Sequence, residues 1–145
     1  MAKIPKKFLG ISLICLVLFV LDRFSKNFFL NNHNINLWGL TSFQKNCGFI
    51  FGAQFPGWEN IFYTFIFCAF IILFYLLIVF LKEGRITELL ATELIIIGAL
   101  SNVLDRLFYG CVTDFISFWI LGVFNMSDVY IFIGALFLFL NYLKK

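Results

Sequence analysis

The chain has 145 residues, of which 62% are hydrophobic and 13% are charged, and it carries a formal net charge of +3. Soluble domains contain roughly 45–50% apolar and about 25% charged residues, so both values indicate a protein that lies in a membrane. The composition excludes a soluble enzyme, a nucleic-acid-binding domain and a disordered chain. The length suits a single domain over residues 1–145.

Four apolar runs predict four transmembrane helices. The clearest run, residues 61–81, has 21 residues without a charge. As a helix rising about 1.5 Å per residue it is roughly 31 Å long, the thickness of a bilayer's hydrocarbon core. The other runs cover about residues 8–30, 88–108 and 125–143. Lysines precede the first run as in a signal peptide, but no small-residue cleavage site follows it, so an uncleaved first span is expected.

Basic residues predict the orientation of these spans. They cluster before the first span, after the second and at the end of the chain, as Lys3, Lys6, Lys7, Lys82, Arg85, Lys144 and Lys145. Short loops rich in Lys and Arg stay in the cytoplasm, so both termini are expected there. Because every cluster flanks a span, membrane orientation explains the positive charge better than a nucleic-acid partner does.

The polar segment between the first two spans, residues 31–60, then lies outside. Residues 34–37 alternate as in a strand with one wet face, and Trp38 and Trp58 suit the headgroup level of a membrane. We expect a small structured element on the outer membrane surface. The connection between the third and fourth spans is expected to be a short outer loop.

The four cysteines and the single histidine, His33, show no spacing typical of a metal site, and no Gly-rich loop resembles a phosphate cradle. No metal or cofactor is therefore expected. Cys15 and Cys68 lie inside apolar runs. Cys47 and Cys111 both face outward in this topology, which makes a disulfide conceivable, but sequence does not establish their distance. Ordinary unpaired cysteines are expected at all four positions.

The carboxylates are distributed unevenly across the predicted membrane. All four aspartates fall at the outer ends of spans or in the outer loop, together with several amides and one arginine: Asp22, Asp105, Asp114, Asp128, Asn46, Asn102, Asn125 and Arg106. Ionisable groups at membrane depth are costly and therefore indicate function. Residues distant in sequence are thus expected to converge at one depth.

Some of these residues also have a plain structural explanation. Asp22 and Lys26 have the i, i+4 spacing of a helical ion pair, and Asn125 could cap the fourth span, with Asp128 in its first turn. Asp105 and Arg106 are sequence neighbours and cannot face each other on a helix. No helical role explains Asp114, which lies in an apolar segment.

Carboxylates without a histidine partner favour one kind of catalysis. When two aspartates share a site, one keeps its proton while the other takes a proton from water, as in an aspartic peptidase. Two other classes remain open. A small proton-coupled transporter would place its carboxylates near the bilayer midplane, often within a repeat. A structural subunit would join its helices through small and polar residues.

Five segments, in order, resemble the lipoprotein signal peptidases (type II signal peptidases) over essentially the whole chain. Residues 21–26 (L-D-R-F-S-K) are similar to the family's Leu-Asp…Lys signature, and residues 46–52 (N-C-G-F-I-F-G) to its Asn-x-Gly-x-Ala-Phe-Gly motif. Residues 98–106 (G-A-L-S-N-V-L-D-R) are similar to Gly-Ala-x-Gly-Asn-x-x-Asp-Arg, residues 112–116 (V-T-D-F-I) to Val-Val-Asp-Phe-Ile, and residues 124–128 (F-N-M-S-D) to Phe-Asn-x-Ala-Asp.

The departures from this pattern spare every acidic, Asn and Arg position. Arg23 stands where the family usually has Gln, Ile50 where it has Ala, Ser101 where it has Gly, and Ser127 where it has Ala. We expect these changes to affect packing and the polarity of the rim more than the chemistry.

The resemblance implies an all-α membrane protein, with four transmembrane helices, a small extracytoplasmic β-element and an amphipathic helix. It implies a catalytic dyad of Asp114 and Asp128. Other residues would bind substrate or support the site (Asn46, Gly48, Asn102, Asp105, Arg106 and Asn125), or support the fold (Asp22 and Lys26). The substrate would be a prolipoprotein with a diacylglyceryl-modified cysteine, cut on the N-terminal side of that cysteine. The protein would be a monomer among the lipids of the bacterial cytoplasmic membrane, with its active site on the extracytoplasmic face.

Overall fold

A computed structural model describes residues 6–37, 39–48, 57, 59–120 and 122–144. These residues form four helices and a three-stranded sheet. In chain order the elements are α1 (Lys6–Asn31), β1 (Thr41–Asn46), α2 (Glu59–Glu83), α3 (Ile86–Tyr109), β2 (Val112–Phe118), β3 (Gly122–Phe124) and α4 (Met126–Leu143).

The four predicted spans are confirmed as helices, each long and apolar enough to cross a membrane. Helix α3 is the centre of the bundle and packs against the three others. Its most apolar stretch is 44% buried inside the protein, compared with 6–17% for the other helices. The outer three helices therefore leave most of their apolar side chains for lipid, which explains a hydrophobic fraction above that of soluble domains.

Helices α3 and α4 approach closely at two glycines. A Cβ atom built on Gly98 would lie 2.5 Å from the carbonyl oxygen of Ser127, and one on Gly134 would lie 2.5 Å from the carbonyl oxygen of Ala91. Backbone atoms meet at both points, so a side chain has no room there. Small residues of this kind let membrane helices pack through close van der Waals contact.

The sheet has the antiparallel order β1-β2-β3 and lies at one end of the bundle, which we call the sheet end. It differs from the sequence prediction in two ways. The strand is Thr41–Asn46 rather than residues 34–37, and the expected loop between the third and fourth spans contains β2 and β3. Residues 34–37 instead enter a turn, in which the Asn36 side chain accepts the N–H of Gly39 at 2.7 Å. Local side-chain bonding of this type overrides a short alternating pattern.

Two expectations for the outer segment fall on residues beyond this description. Trp38 and Trp58 are outside the described residues, and so is the stretch 49–56. Within residues 32–37 and 39–48 there is no helix. The expected amphipathic helix therefore stays a prediction.

The expectation of four unpaired cysteines is wrong for one pair. Cys47 and Cys111 form a disulfide with a Cα–Cα distance of 4.2 Å, although 64 residues separate them. The sheet brings them together, because β1 and β2 are antiparallel and their last pair, Asn46 with Val112, is next to the two cysteines. Cys15 and Cys68 are free, the former buried and the latter exposed.

The close α3–α4 contact predicts a sharp difference between two glycine substitutions. Gly134→Ala should lower the free energy of unfolding by about 1–3 kcal/mol, because the new methyl group meets backbone that cannot move aside. Gly10→Ala is the matched control, since a Cβ there meets nothing within 4 Å. Unfolding in detergent would measure both. Equal stability of the two variants would contradict a close-packed α3–α4 seam.

Candidate active site

The four aspartates, predicted to converge, are connected by one polar network at the sheet end. Helix α1 contributes Asp22, α3 contributes Asp105, β2 contributes Asp114, and α4 contributes Asp128. The link between them is Lys26, one helical turn after Asp22. These groups come from four elements, so the network also joins the helices to the sheet.

Lys26 is buried between two carboxylates. Its Nζ lies 3.1 Å from Asp105 Oδ2 and 3.5 Å from Asp22 Oδ2, which confirms the expected i, i+4 pair. Arg23 adds a second cation, with Nη1 at 2.5 Å from Asp105 Oδ1. Two cations thus balance two fully buried carboxylates, the condition under which buried charge is tolerated.

Hydrogen bonds from neighbouring elements also reach both carboxylates. The Ser101 hydroxyl donates to Asp22 Oδ2 at 2.5 Å, and the backbone N–H of Ser127 donates to Asp22 Oδ1 at 2.9 Å. The backbone N–H of Thr113 donates to Asp105 Oδ2 at 3.1 Å. Asp22 therefore ties α1 to the start of α4, and Asp105 ties α3 to β2.

A short relay connects this ion cluster to Asp128. Lys26 Nζ donates to Asn102 Oδ1 at 2.7 Å, and Asn102 Nδ2 donates to Asp128 Oδ1 at 2.8 Å. Because the ammonium has only donors and the carboxylate has acceptors, the two partners define which way the Asn102 amide points. The orientation of Asp128 thus depends on a lysine from another helix.

Asn125 contacts both remaining aspartates. Its side-chain oxygen accepts the N–H of Asp128 at 3.0 Å, while Asp128 Oδ2 accepts the N–H of Asn125 at 3.2 Å. This reciprocal capping box starts α4 and confirms the expected cap. The other half of the same amide, Nδ2, donates to Asp114 Oδ1 at 2.6 Å. One buried residue therefore bonds to both carboxyl groups, to Asp128 through its backbone N–H and to Asp114 through its side chain.

Asp114 and Asp128 have different surroundings. Asp114 is 2% exposed and lies on β2, opposite Gln44 of β1. Burial raises the pKa of Asp114 to about 6 from 3.8; the hydrogen bond from Asn125 opposes the shift, and the neighbouring Asp128 carboxylate adds to it. Asp128 is less buried and lies at the N-terminus of a helix, where the backbone dipole favours a negative charge.

The guanidinium of Arg106 contacts Gly48, which follows β1, and Phe62 of α2. Its Nη2 donates to the carbonyl of Gly48 at 3.3 Å, and its Cζ lies 5.5 Å from the centre of the Phe62 ring. Asn46, just before the disulfide, accepts the N–H of Gly48 at 3.3 Å and also hydrogen-bonds to Asp114. The end of β1 thus lies between Arg106 and the aspartates.

A cavity of about 300 Å³ opens beside Asp128, between α2, α3 and α4. Its polar wall consists of Asn102, Arg106 and Asp128. The rest is apolar: Phe62, Ile66, Ala69, Phe70, Leu73, Ala99, Val103 and Ile131. A few polar groups at one end of an apolar cleft are typical of a small-molecule or peptide site.

Nearly all residues singled out from sequence thus lie in this site or its supporting network. Arg23 also belongs to this network, although the sequence predicts for it only an effect on the polarity of the rim. The adjacency of Arg23 to Asp22 gave no signal, since sequence neighbours on a helix do not face each other. Only the fold shows that it reaches Asp105 on α3.

The fold and the site define a membrane protein with paired carboxylates beside an apolar cavity at one end of a helical bundle. A family model described as signal peptidase (SPase) II matches residues 14–144. The lipoprotein signal peptidase of Wigglesworthia glossinidia brevipalpis is 35% identical, with 92% of this chain and 93% of that protein covered. The lipoprotein signal peptidase of Pasteurella multocida is 36% identical, with 94% of this chain and 91% of that protein covered. The chain belongs to the signal peptidase II family, a family of peptidases.

A solved structure supports the same fold. The chain is similar to a bacterial membrane enzyme determined by the in meso method at 2.3 Å resolution, with a TM-score of 0.73 and 25% identity over 93% of this chain and 88% of that one. The four-helix and sheet arrangement is therefore shared with a membrane enzyme.

Removing the central cation should damage both stability and the site. Lys26→Met leaves Asp22 and Asp105 with only one cation between them, so we expect the free energy of unfolding to fall by about 3–5 kcal/mol. Lys7→Met, at an exposed position, is the matched control and should change stability by less than about 0.5 kcal/mol. Denaturant unfolding in detergent measures both. A stable Lys26→Met protein would show that the buried cluster does not need this charge.

Proposed function

We propose that this chain is an aspartic endopeptidase that removes the signal peptide from diacylglyceryl-modified prolipoproteins, cutting on the N-terminal side of the lipidated cysteine. Its catalytic dyad is Asp114 and Asp128. The observation that carries the proposal is the position of Asn125 between the two carboxyl groups. Its side-chain amide donates to Asp114 and its backbone N–H donates to Asp128, so the two groups lie close together in unlike surroundings. The relatives named lipoprotein signal peptidase support the substrate class.

The unlike surroundings divide the work between the two groups. Asp114 is the member that keeps its proton, because burial raises its pKa to about 6. Asp128 is the ionised member, since it accepts an N–H from Asn125 and an amide N–H from Asn102. Charge-assisted hydrogen bonds of this kind stabilise a carboxylate. A dyad with one proton is the state that an aspartic mechanism needs.

The reaction then follows from where the proton lies. The Asp128 carboxylate takes a proton from water, and the water oxygen forms a bond to the scissile carbonyl carbon. Asp114 gives its proton to the carbonyl oxygen, which produces a gem-diol. Asp128 next gives its proton to the amide nitrogen, Asp114 recovers one from the gem-diol, and the C–N bond breaks. The products are the signal peptide with a new carboxyl terminus and the free amine of the lipidated cysteine.

The residues around the dyad would position the substrate. The apolar cavity between α2, α3 and α4 suits the apolar part of a lipidated substrate, and its polar end at Asp128 and Arg106 would receive the peptide. Asn46, the last residue of β1, and Gly48, two residues after it, lie beside these groups. A diacylglyceryl anchor would hold the scissile bond at a fixed depth, which reduces the search for a reactive geometry.

Charge placement supports an orientation in the bacterial cytoplasmic membrane. Lys82 and Arg85 lie at the end of the bundle opposite the aspartates, and Lys144 follows α4 at that same end. Basic residues favour the cytoplasm, so both termini would lie there and the dyad would be extracytoplasmic. Exposed apolar side chains on the helices would contact lipid, around a monomer.

The proposal predicts a selective loss of cleavage. Purified protein should shorten a diacylglyceryl-modified prolipoprotein but not its unlipidated precursor. Asp114→Asn and Asp128→Asn should each lower the rate by at least about 10³-fold, because neither can exchange a proton. Glu83→Gln, at the opposite end of the bundle, is the control and should keep wild-type activity. Cleavage by either well-folded dyad variant would refute this assignment.

The raised pKa of Asp114 predicts how activity changes with pH. Above about pH 6 the free enzyme loses the proton that the mechanism needs, so kcat/KM should fall as pH rises through this value. Glu83→Gln should give the same profile. A kcat/KM that rises through pH 6 would contradict the assignment of the proton to Asp114.

Unfolding gives a second readout that does not require activity. Asp114 has a higher pKa folded than unfolded, where 3.8 applies, so its contribution to stability is complete below that value and is lost as pH rises through about 6. Asp114→Asn should lack this component of the pH dependence of Tm. Identical Tm profiles for the variant and the wild type would contradict the shift.

A further inference from the structure

We propose that the Cys47–Cys111 disulfide is a positioning element of the active site, and that the enzyme reaches its full affinity for substrate only after this bond has formed. The bond joins the segment that carries Asn46 and Gly48 to the junction of α3 and β2. The inference rests on the proposed function. It adds the requirement that the substrate-binding end of β1 be fixed by an oxidation step.

The disulfide extends the β1–β2 ladder by one pair. The paired residues run from Gln44 with Asp114 to Asn46 with Val112, and the next pair in that register is Cys47 with Cys111. Backbone pairing ends at this point, so the covalent bond replaces the ladder where the ladder stops. It therefore acts on the residue that follows Cys47 more than on those before it.

Gly48 is that residue, and its other restraints are weak. It lies beyond the ladder but is buried, and two hydrogen bonds of 3.3 Å hold it: its N–H donates to Asn46 and its carbonyl accepts from Arg106. Both lengths exceed the usual N–H···O distance of about 2.9–3.0 Å. Arg106 lies on the last turn of α3, just before Gly110 and Cys111. The disulfide and the Arg106–Gly48 hydrogen bond thus close the same ring.

Asn46 differs from Gly48 in this respect. Backbone pairing with Val112 already holds Asn46 next to Asp114, with or without the disulfide. Breaking the bond should therefore leave the dyad in place and release Gly48 from Arg106, which lines the cavity proposed to take the substrate. The expected result is a higher KM with little change in kcat.

Formation of the bond needs an oxidant and access to it. Two thiols lose two protons and two electrons, which pass by thiol–disulfide exchange to a disulfide-bearing oxidant that becomes two thiols. Cys47 is exposed at the surface and is therefore open to such an exchange, whereas Cys111 is partly buried. Oxidants of this class act outside the cytoplasm, the side proposed for the sheet end.

The test compares the oxidised enzyme with three other states: reduced wild type, reduced wild type after reoxidation, and the double variant Cys47→Ala/Cys111→Ala. We expect KM for a diacylglyceryl-modified prolipoprotein to rise about fivefold on reduction, the size of one lost hydrogen bond, with kcat within about twofold. Reoxidation should restore KM. The double variant should have the KM of the reduced enzyme, and adding reductant should not change it.

Cys68→Ala provides the control, because Cys68 is free and exposed on α2. It should behave as wild type in both redox states. Equal KM in oxidised and reduced enzyme would overturn the inference. A fall in kcat without a rise in KM would also overturn it, and so would a loss of activity that is fully explained by a lower Tm. If the oxidised wild type does not cleave the lipidated substrate, the proposed function fails instead, whatever the redox state.

Discussion

The buried ammonium group of Lys26 is the interaction on which the site depends. An ammonium out of water is unfavourable unless its donors are used, and here they reach Asp22, Asp105 and Asn102. Since the first lies on α1 and the other two on α3, the charge fixes how these helices sit against each other. The oriented Asn102 amide then carries that arrangement to Asp128. The buried ion cluster and the proposed catalytic carboxylate therefore share one network, and the first determines the geometry of the second.

The junction of β3 and α4 also uses a few side chains both for stability and for the geometry of the site. A helix that begins beside a membrane surface must satisfy its first N–H groups, and Asn125 and Asp128 do so reciprocally. Asn125 still has its amide donors free for another partner, and Asp114 takes one of them. The cap thereby brings a residue of the sheet to a residue of the helix. Asp128 belongs at a helix N-terminus for reasons of stability, and that position also places it beside the cavity.

The parts of this structure that sequence predicts are the local ones. A run such as residues 61–81 predicts a membrane helix through its length and apolarity alone. Once the helices are placed in a membrane, the aspartates at their ends are expected at one depth. Pairing across the sheet is not local, because two helices, α2 and α3, separate Gln44 from Asp114 in the chain. The strand at Thr41–Asn46, the disulfide and the reach of Arg23 to Asp105 all depend on such distant contacts. The residues at the ends of the predicted spans indicate which residue types converge, but not which atoms are in contact.

Arg23 and Ser101, two residues at which the sequence departs from the motifs it resembles, are in contact. Arg23 stands where the family usually has Gln and Ser101 where it usually has Gly, and the two touch: Arg23 Nη1 donates to the hydroxyl and to the carbonyl of Ser101, both at 3.1 Å. The same hydroxyl donates to Asp22 at 2.5 Å, so it orients one carboxylate while it receives the cation that balances another. Groups in one hydrogen-bond network are energetically coupled. The added cation thus enters the buried cluster with an added acceptor beside it. Arg23 and Ser101 thus bond to Asp105 and Asp22. Asp114 and Asp128 are held by other residues, Asn125 and Asn102.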